Sequence, residues 1–237
     1  MAYTVRPDIS GISDLVHHQQ DHLHDVTDRT EPVYGVVLHC TGSGIVSKAL
    51  QLGADPLEYA VQYYMKPESY FAHYVIDFDG TIAQIADEHE KAMHVGFAPE
   101  ERAAFQSGAW ESKLPSSYVA AWKARWPGAK SPAHLFPGPS PNNVYVGMEM
   151  LCWQEGCAGS PREDGMLYTT AQHEAAAHLC QDIGSRWELP AAWSASARMV
   201  CHEDVNPLTR TAKGQGWDPG VVRNNPSFDW PYFLGLF

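Results

Sequence analysis

The sequence predicts an α/β domain in which a mixed central β-sheet is flanked by helices, and three observations carry that expectation. Apolar runs of strand length, VVLH at 36–39 and NVYVGMEML at 143–151, alternate with longer segments whose apolar residues recur at helical spacing. Between them lies a tight hairpin pattern centred on Phe78, Asp79 and Gly80. The chain has 237 residues, enough for one sizeable core and somewhat long for one compact domain, so insertions or an extension are expected. There is no P-loop, dinucleotide fingerprint or internal repeat.

Taken in order, residues 1–30 are polar and histidine-rich, with HHQQDHLHD at 17–25. They read as an N-terminal extension, either a metal-loading tail or a solvated, frayed helix. A strand over 33–39 follows. Alternation points Leu38 and Cys40 away from His39, which makes Cys40 a small core residue rather than a ligand. Asp55-Pro56-Leu57-Glu58 supplies an N-cap, a proline at the first helical position and a glutamate at the third. The helix it opens should run to about residue 66 and pack Leu57, Val61 and Tyr64 on the sheet. Segments 71–77 and 81–86 form the hairpin, with Asp77 and Asp79 as turn formers, and residues 93–96 end a further short strand.

Residues 99–141 are rich in Pro, Gly, Ser and Trp around a helix over 116–126, and read as a lid, a groove wall or a cover for core. The apolar strand 143–151 is interrupted by one acid, Glu149, and a lone carboxylate in a buried strand is costly unless paired or used. Thr169-x-x-Gln172 is a capping box for a helix to about residue 187, with Ala175, Leu179 and Ile183 inward and His173 and His178 structural or exposed.

Lys and Arg total 16 against 28 Asp and Glu, a net charge of −12, which leaves no electrostatic footprint for nucleic acid or an anionic membrane. No window approaches eighteen consecutive apolar residues, and Asp8, Asp14, His17 and His18 break up any leader pattern. The chain is therefore expected to be made in the cytoplasm without a cleavable signal. Five cysteines, an odd number, fit a reducing compartment; Cys152 and Cys157 flank a turn and either pair after release or stay free thiols.

The chemistry concentrates at 199–220, MVCHEDVNPLTRTAKGQGWDPG, where His202 ends an apolar run and Asp218 lies across a glycine-rich loop. His39 ends another apolar run. Two strand-end imidazoles and a loop carboxylate could make a three-ligand zinc site with the fourth position kept for water.

In order, VVLHCTGSG, AHYVIDFDGTIAQIADEHEKAMHVG, NVYVGMEML, YTTAQHEAAAHLCQDI and HEDVNP with WDPG and FDW resemble the zinc-dependent N-acetylmuramoyl-L-alanine amidases, which include peptidoglycan recognition proteins. The resemblance spans about 33–233 and implies the same α/β fold, with a domain at 31–237 carrying an insertion at about 99–141. It implies Zn2+ held by His39, His202 and Asp218, Glu149 as catalytic acid-base, and His94 on the rim of the site. The family often has lysine two residues before the third ligand; here that position is Gly216, so Lys213, Arg210 or His94 must face the oxyanion. The tyrosine that some members carry before the histidine of the central hairpin is Ala72.

The implied reaction is hydrolysis of the amide between N-acetylmuramic acid and L-alanine in peptidoglycan or a muropeptide. Three settings fit: a phage endolysin, an antibacterial secretion-system effector with its secretion apparatus and immunity protein as partners, or a cytoplasmic recycling amidase. A non-catalytic peptidoglycan-binding module is the alternative from another class, and a cysteine peptidase using Cys40 or Cys201 is a third reading, which chelator sensitivity would separate from a zinc enzyme.

Overall fold

The computed structural model describes residues 28–41, 44–66, 71–96, 98–152, 168–212 and 228–237. Residues 1–27 of the polar extension, Cys157, Lys213, Gly216 and Asp218 lie outside them.

Five strands, β1 (Gly35–Cys40), β2 (Tyr74–Ile76), β3 (Ile82–Gln84), β4 (Tyr145–Met150) and β5 (Met199–Cys201), form one mixed sheet in the order β3-β2-β4-β1-β5. β2, β4, β1 and β5 run parallel, and β3 is antiparallel to β2 through the expected hairpin. Every residue of β1 and β4 is buried. Parallel strands covered on both faces need no polar side, which is why these two read as near-continuous apolar runs. In the hairpin turn Asp77 and Asp79 accept the N–H groups of Phe78 and Thr81, and Gly80 takes φ 85°, a left-handed value that suits glycine.

Helices α1 (Ile45–Leu52) and α2 (Pro56–Tyr64) follow β1. Asp55 caps α2 by accepting the Glu58 N–H at 2.9 Å, and the helix stops at Tyr64, two residues short of the expected end. Leu57, Val61 and Tyr64 pack with Val75, Ala83 and Leu151, as their spacing requires. Next come α3 (Pro99–Ser107) and α4 (Ser116–Arg125). They cover the same sheet face nearer the strand starts, burying Phe105, Trp110, Val119 and Trp122 against Val37, Tyr145 and Val200. The sequence reading omitted α3 because PEERAAFQS buries only Ala104 and Phe105 and so shows no apolar stripe.

The opposite face belongs to α5 (Thr170–Arg186), opened by the Thr169/Gln172 capping box. Ala175, Leu179 and Ile183 meet Val36, Leu38, Val146 and Met148 there. His173 is buried beside them, donating to Thr169 O at 2.7 Å and accepting the Asp229 N–H at 3.0 Å, so its role is structural. The short helices α6 (His202–Val205), α7 (Pro207–Ala212) and α8 (Trp230–Leu234) complete the described chain. The expected strand end at 93–96 is irregular coil, and the strand expected from Asn143 begins only at Tyr145, because Asn143 closes a 3-10 turn, Pro141–Asn143, that leads into β4.

One buried carboxylate ties the C-terminal end of α5 to the hairpin. Glu88 accepts from Tyr74 Oη at 2.7 Å, Arg186 Nη2 at 2.7 Å and Trp187 Nε1 at 2.6 Å. Replacing Glu88 by Ala removes an acceptor shared by Tyr74, Arg186 and Trp187, of which Arg186 keeps Asp182, so a loss of about 1–3 kcal/mol is expected in urea unfolding, with the slope unchanged.

Candidate active site

Strand alternation decides which side chains reach the site. His39 is in register with Glu149, and Val37 with Gly147, so all four project from one face, while Leu38, Cys40, Met148 and Met150 project from the other. β5 ends at Cys201, and His202 begins α6 directly beyond it. His39, Glu149 and His202 therefore gather at the carboxyl ends of parallel strands, the edge where open α/β sheets leave a crevice.

His94 reaches the same place from coil and lies flat over β4. A Cβ on Gly147 would sit 2.6 Å from His94 Cγ, so only glycine leaves room for the ring. His94 is thus buried in the floor of the site at 4% exposure rather than on its rim, because the missing Cβ lets it sink to the sheet. Gly147→Ala is expected to cost about 1–3 kcal/mol of stability by overpacking, read as a fall in melting temperature, and to push His94 off its partners.

The hydrogen bonds of the three imidazoles fix their tautomers in sequence. His94 Nε2 is 3.3 Å from Tyr145 O, and a carbonyl can only accept, so Nε2 carries the proton and Nδ1 a lone pair. His39 Nε2 lies 2.9 Å from that Nδ1 and must donate to it, which leaves the lone pair of His39 on its own Nδ1. Arg210, a donor only, places Nη2 at 2.7 Å and Nε at 3.2 Å from His202 Nδ1, so His202 also has its lone pair on Nδ1. Those two Nδ1 atoms face each other at 3.0 Å. No proton lies between them: His39 Nδ1 keeps its lone pair toward His202, while the Nδ1 lone pair of His202 accepts from the Arg210 guanidinium, the cation that this pair of nitrogens holds here.

Burial keeps the rings in that state. Desolvation, then the His202, His94 and Arg210 charges, hold His39 well below the usual histidine pKa; desolvation and Arg210 do the same for His202. His94 is pushed down to about 3, mainly by desolvation. All three are neutral at pH 7. Glu149 is buried at 8% exposure and hydrogen-bonds the phenol of Tyr64, whose own pKa burial and that carboxylate drive up.

The scaffold behind His202 is anchored from both sides. Trp122 Nε1 and Trp126 Nε1 donate to Asp204 O at 3.0 Å and Asp204 Oδ1 at 3.2 Å, so the segment 99–141 holds α6. Buried Asn206 donates to Gly96 O at 2.7 Å and Glu101 Oε2 at 3.0 Å, joining the start of α7, and with it Arg210, to α3.

The structure thus brings together His39, His94, Glu149 and His202 of the expected residues, and with them Arg210. Lys213 and Asp218 fall outside the described residues, and among the described residues no group of three or more His, Cys, Asp and Glu side chains is arranged to hold a metal. Tyr64 was missed as a site residue; its sequence signal, a place on the apolar face of α2, is the signal of any core residue. His73 was missed as well. Its Nδ1 accepts the Gly147 N–H at 3.0 Å, holding the strand on which His94 rests.

Neutral imidazoles whose unprotonated nitrogens converge, beside a carboxylate at the open edge of a parallel sheet, are the equipment of a hydrolase. The chain belongs to the N-acetylmuramoyl-L-alanine amidase family, whose model matches residues 29–221. Two solved structures are similar: a selenomethionine derivative of AmpD, at 19% identity over 90% of each chain with a TM-score of 0.47, and the Ph2119 endolysin from Thermus scotoductus MAT2119 bacteriophage Ph2119. The latter is 11% identical over 89% of this chain and 88% of its own, with a TM-score of 0.40. No curated protein sequence matches. Among the described residues no helix is long and apolar enough to cross a membrane.

Proposed function

We propose that this chain is a zinc-dependent N-acetylmuramoyl-L-alanine amidase that cleaves the amide joining the lactyl group of N-acetylmuramic acid to L-alanine of the peptidoglycan stem. The facing Nδ1 atoms of His39 and His202, both without a proton and with the Arg210 cation held against the second, are the observation that carries the reading. Their 3.0 Å separation is close to the spacing of about 3.3 Å that two nitrogens adopt around a tetrahedral zinc with bonds of about 2.0–2.1 Å. His39, His202 and Asp218 would hold the ion, which when bound supplies Lewis acidity: it acidifies a water and polarises a carbonyl.

The chain's own groups account for the proton movements. Glu149, in register beside His39, takes the proton of the attacking water and returns it to the departing alanine nitrogen. Tyr64 fixes the carboxylate by hydrogen bond. His94 holds the His39 ring so that Nδ1 stays free of its proton and aimed at His202. Arg210 is a cation within 2.7 Å of His202; giving His202 Nδ1 to the ion would release its guanidinium to face the negative charge developing on the carbonyl oxygen, with Lys213 as the second candidate.

The test is digestion of purified peptidoglycan with the zinc-loaded protein, followed by mass spectrometry. Intact stem peptides beginning with free L-alanine, together with unmodified glycan strands, are expected. Cleavage between stem amino acids or within the glycan would overturn the specificity. Binding without cleavage would assign the chain to a non-catalytic module, and hydrolysis indifferent to EDTA would shift the chemistry to a cysteine.

A further inference from the structure

We propose that Cys40 and Cys152 are a reversible disulfide site that ties the carboxyl ends of β1 and β4 together behind the candidate active site. The two sulfur atoms lie 3.0 Å apart, on residues 112 positions apart in sequence. That separation is only about 1 Å longer than a disulfide bond of roughly 2.05 Å, so a small movement of the side chains completes the bond. Strand geometry explains the meeting. Cys40 pairs in register with Met150, and Cys152 lies two residues further along the same face, so both sulfurs enter the cluster that faces α5.

The other described cysteines have different surroundings. Cys180 Sγ lies 3.9 Å from Met148 Sδ, and Cys201 Sγ is 3.1 Å from Asp204 Oδ2. Cys40 at 6% exposure is more open than Cys152 at 1%, which makes it the entry point for an oxidant. With a low-molecular-weight disulfide such as oxidised glutathione, the Cys40 sulfur attacks one sulfur of the reagent, breaks its S–S bond and releases one thiol. The Cys152 sulfur then attacks the mixed disulfide at Cys40 and releases the second thiol. The protein loses two electrons, the reagent gains them, and the two thiol protons leave with the two released thiols.

The bond would join the strand ends that carry His39 and Glu149 while lying on the other side of the sheet from them. It therefore need not touch either group, and it closes a loop of over one hundred residues, the kind of closure that restricts the unfolded chain most.

The experiment uses the full reduced chain equilibrated across a series of oxidised to reduced glutathione ratios, acid-quenched, alkylated with N-ethylmaleimide and digested without reductant for mass spectrometry. Two of the five thiols should resist alkylation at the oxidising end, in a cross-linked peptide pair containing Cys40 and Cys152 that dithiothreitol separates. The oxidised chain should melt about 5–10 °C higher than the reduced one. Cys157→Ser should retain the cross-link and Cys152→Ala should lose it together with the difference in melting. Alkylation of all five thiols across the series, or a bond found only between Cys152 and Cys157, would overturn the proposal. Because no step reads hydrolysis, the result stands apart from the assignment of amidase activity.

Discussion

Glu149→Gln is expected to keep its fold and its zinc while hydrolysing peptidoglycan about 10²–10⁴-fold more slowly, the usual loss when a positioned acid-base group is removed. The substitution keeps the shape of the side chain and its hydrogen bond to Tyr64, so the melting temperature should hardly move. Zinc content, melting temperature and turnover measured on one preparation separate the two roles open to a buried acid. A folded, zinc-loaded variant nearly as fast as the parent would remove Glu149 from the reaction and make His94 the next group to examine. A variant that loses stability in proportion to activity would make the carboxylate structural.

The second large effect concerns the imidazole pair. His39→Ala and His202→Ala should each abolish stoichiometric zinc, read by elemental analysis, and with it all measurable hydrolysis. His94→Ala should be milder. It deletes the acceptor that orients His39 but none of the proposed ligands, and losing such an orienting partner costs about 10–100-fold in metal affinity or activity. Asp218→Ala belongs with the first pair on the proposed ligand set. Full zinc occupancy with intact activity in that variant would pass the third position to another side chain.

Local signals were the ones the sequence carried well. The Asp55 cap, the Thr169/Gln172 box and the hairpin around Gly80 depend on residues two to four positions apart, and each is found within a residue or two of where it was expected. Glu149 was legible for a related reason, since a carboxylate inside an apolar strand has few harmless explanations, whereas His39 and His202, two of twelve histidines, stood out only through the family resemblance of the segments around them. The strand order was not legible, since placing β4 between β1 and β2 depends on pairings more than seventy residues apart. Everything that hangs on that order was hidden with it. His94 was assigned to a short strand at the rim, yet it is held by Gly147 fifty-three positions later, whose missing side chain means nothing until β4 is laid beneath the ring. The contact of Cys40 with Cys152 was invisible on the same ground, and the only pairing the sequence suggested for Cys152, beside a free thiol, was with its near neighbour Cys157. Tyr64 presented itself only as one more apolar position on α2.

His39 and His202 come from neighbouring strands but are 163 residues apart along the chain. During synthesis the first imidazole emerges early, whereas the second waits until most of the protein has left the ribosome. It arrives directly after β5, a three-residue edge strand paired to β1. A nascent or truncated chain that ends before β5 has the bulk of its hydrophobic core and only half of the facing nitrogen pair. Capture of the proposed zinc would then belong to the last stage of assembly, because slow, long-range closure must precede it. On the proposed ligand set, unfinished copies of the protein would be inert, and the zinc content of a preparation would count the molecules that have completed their sheet.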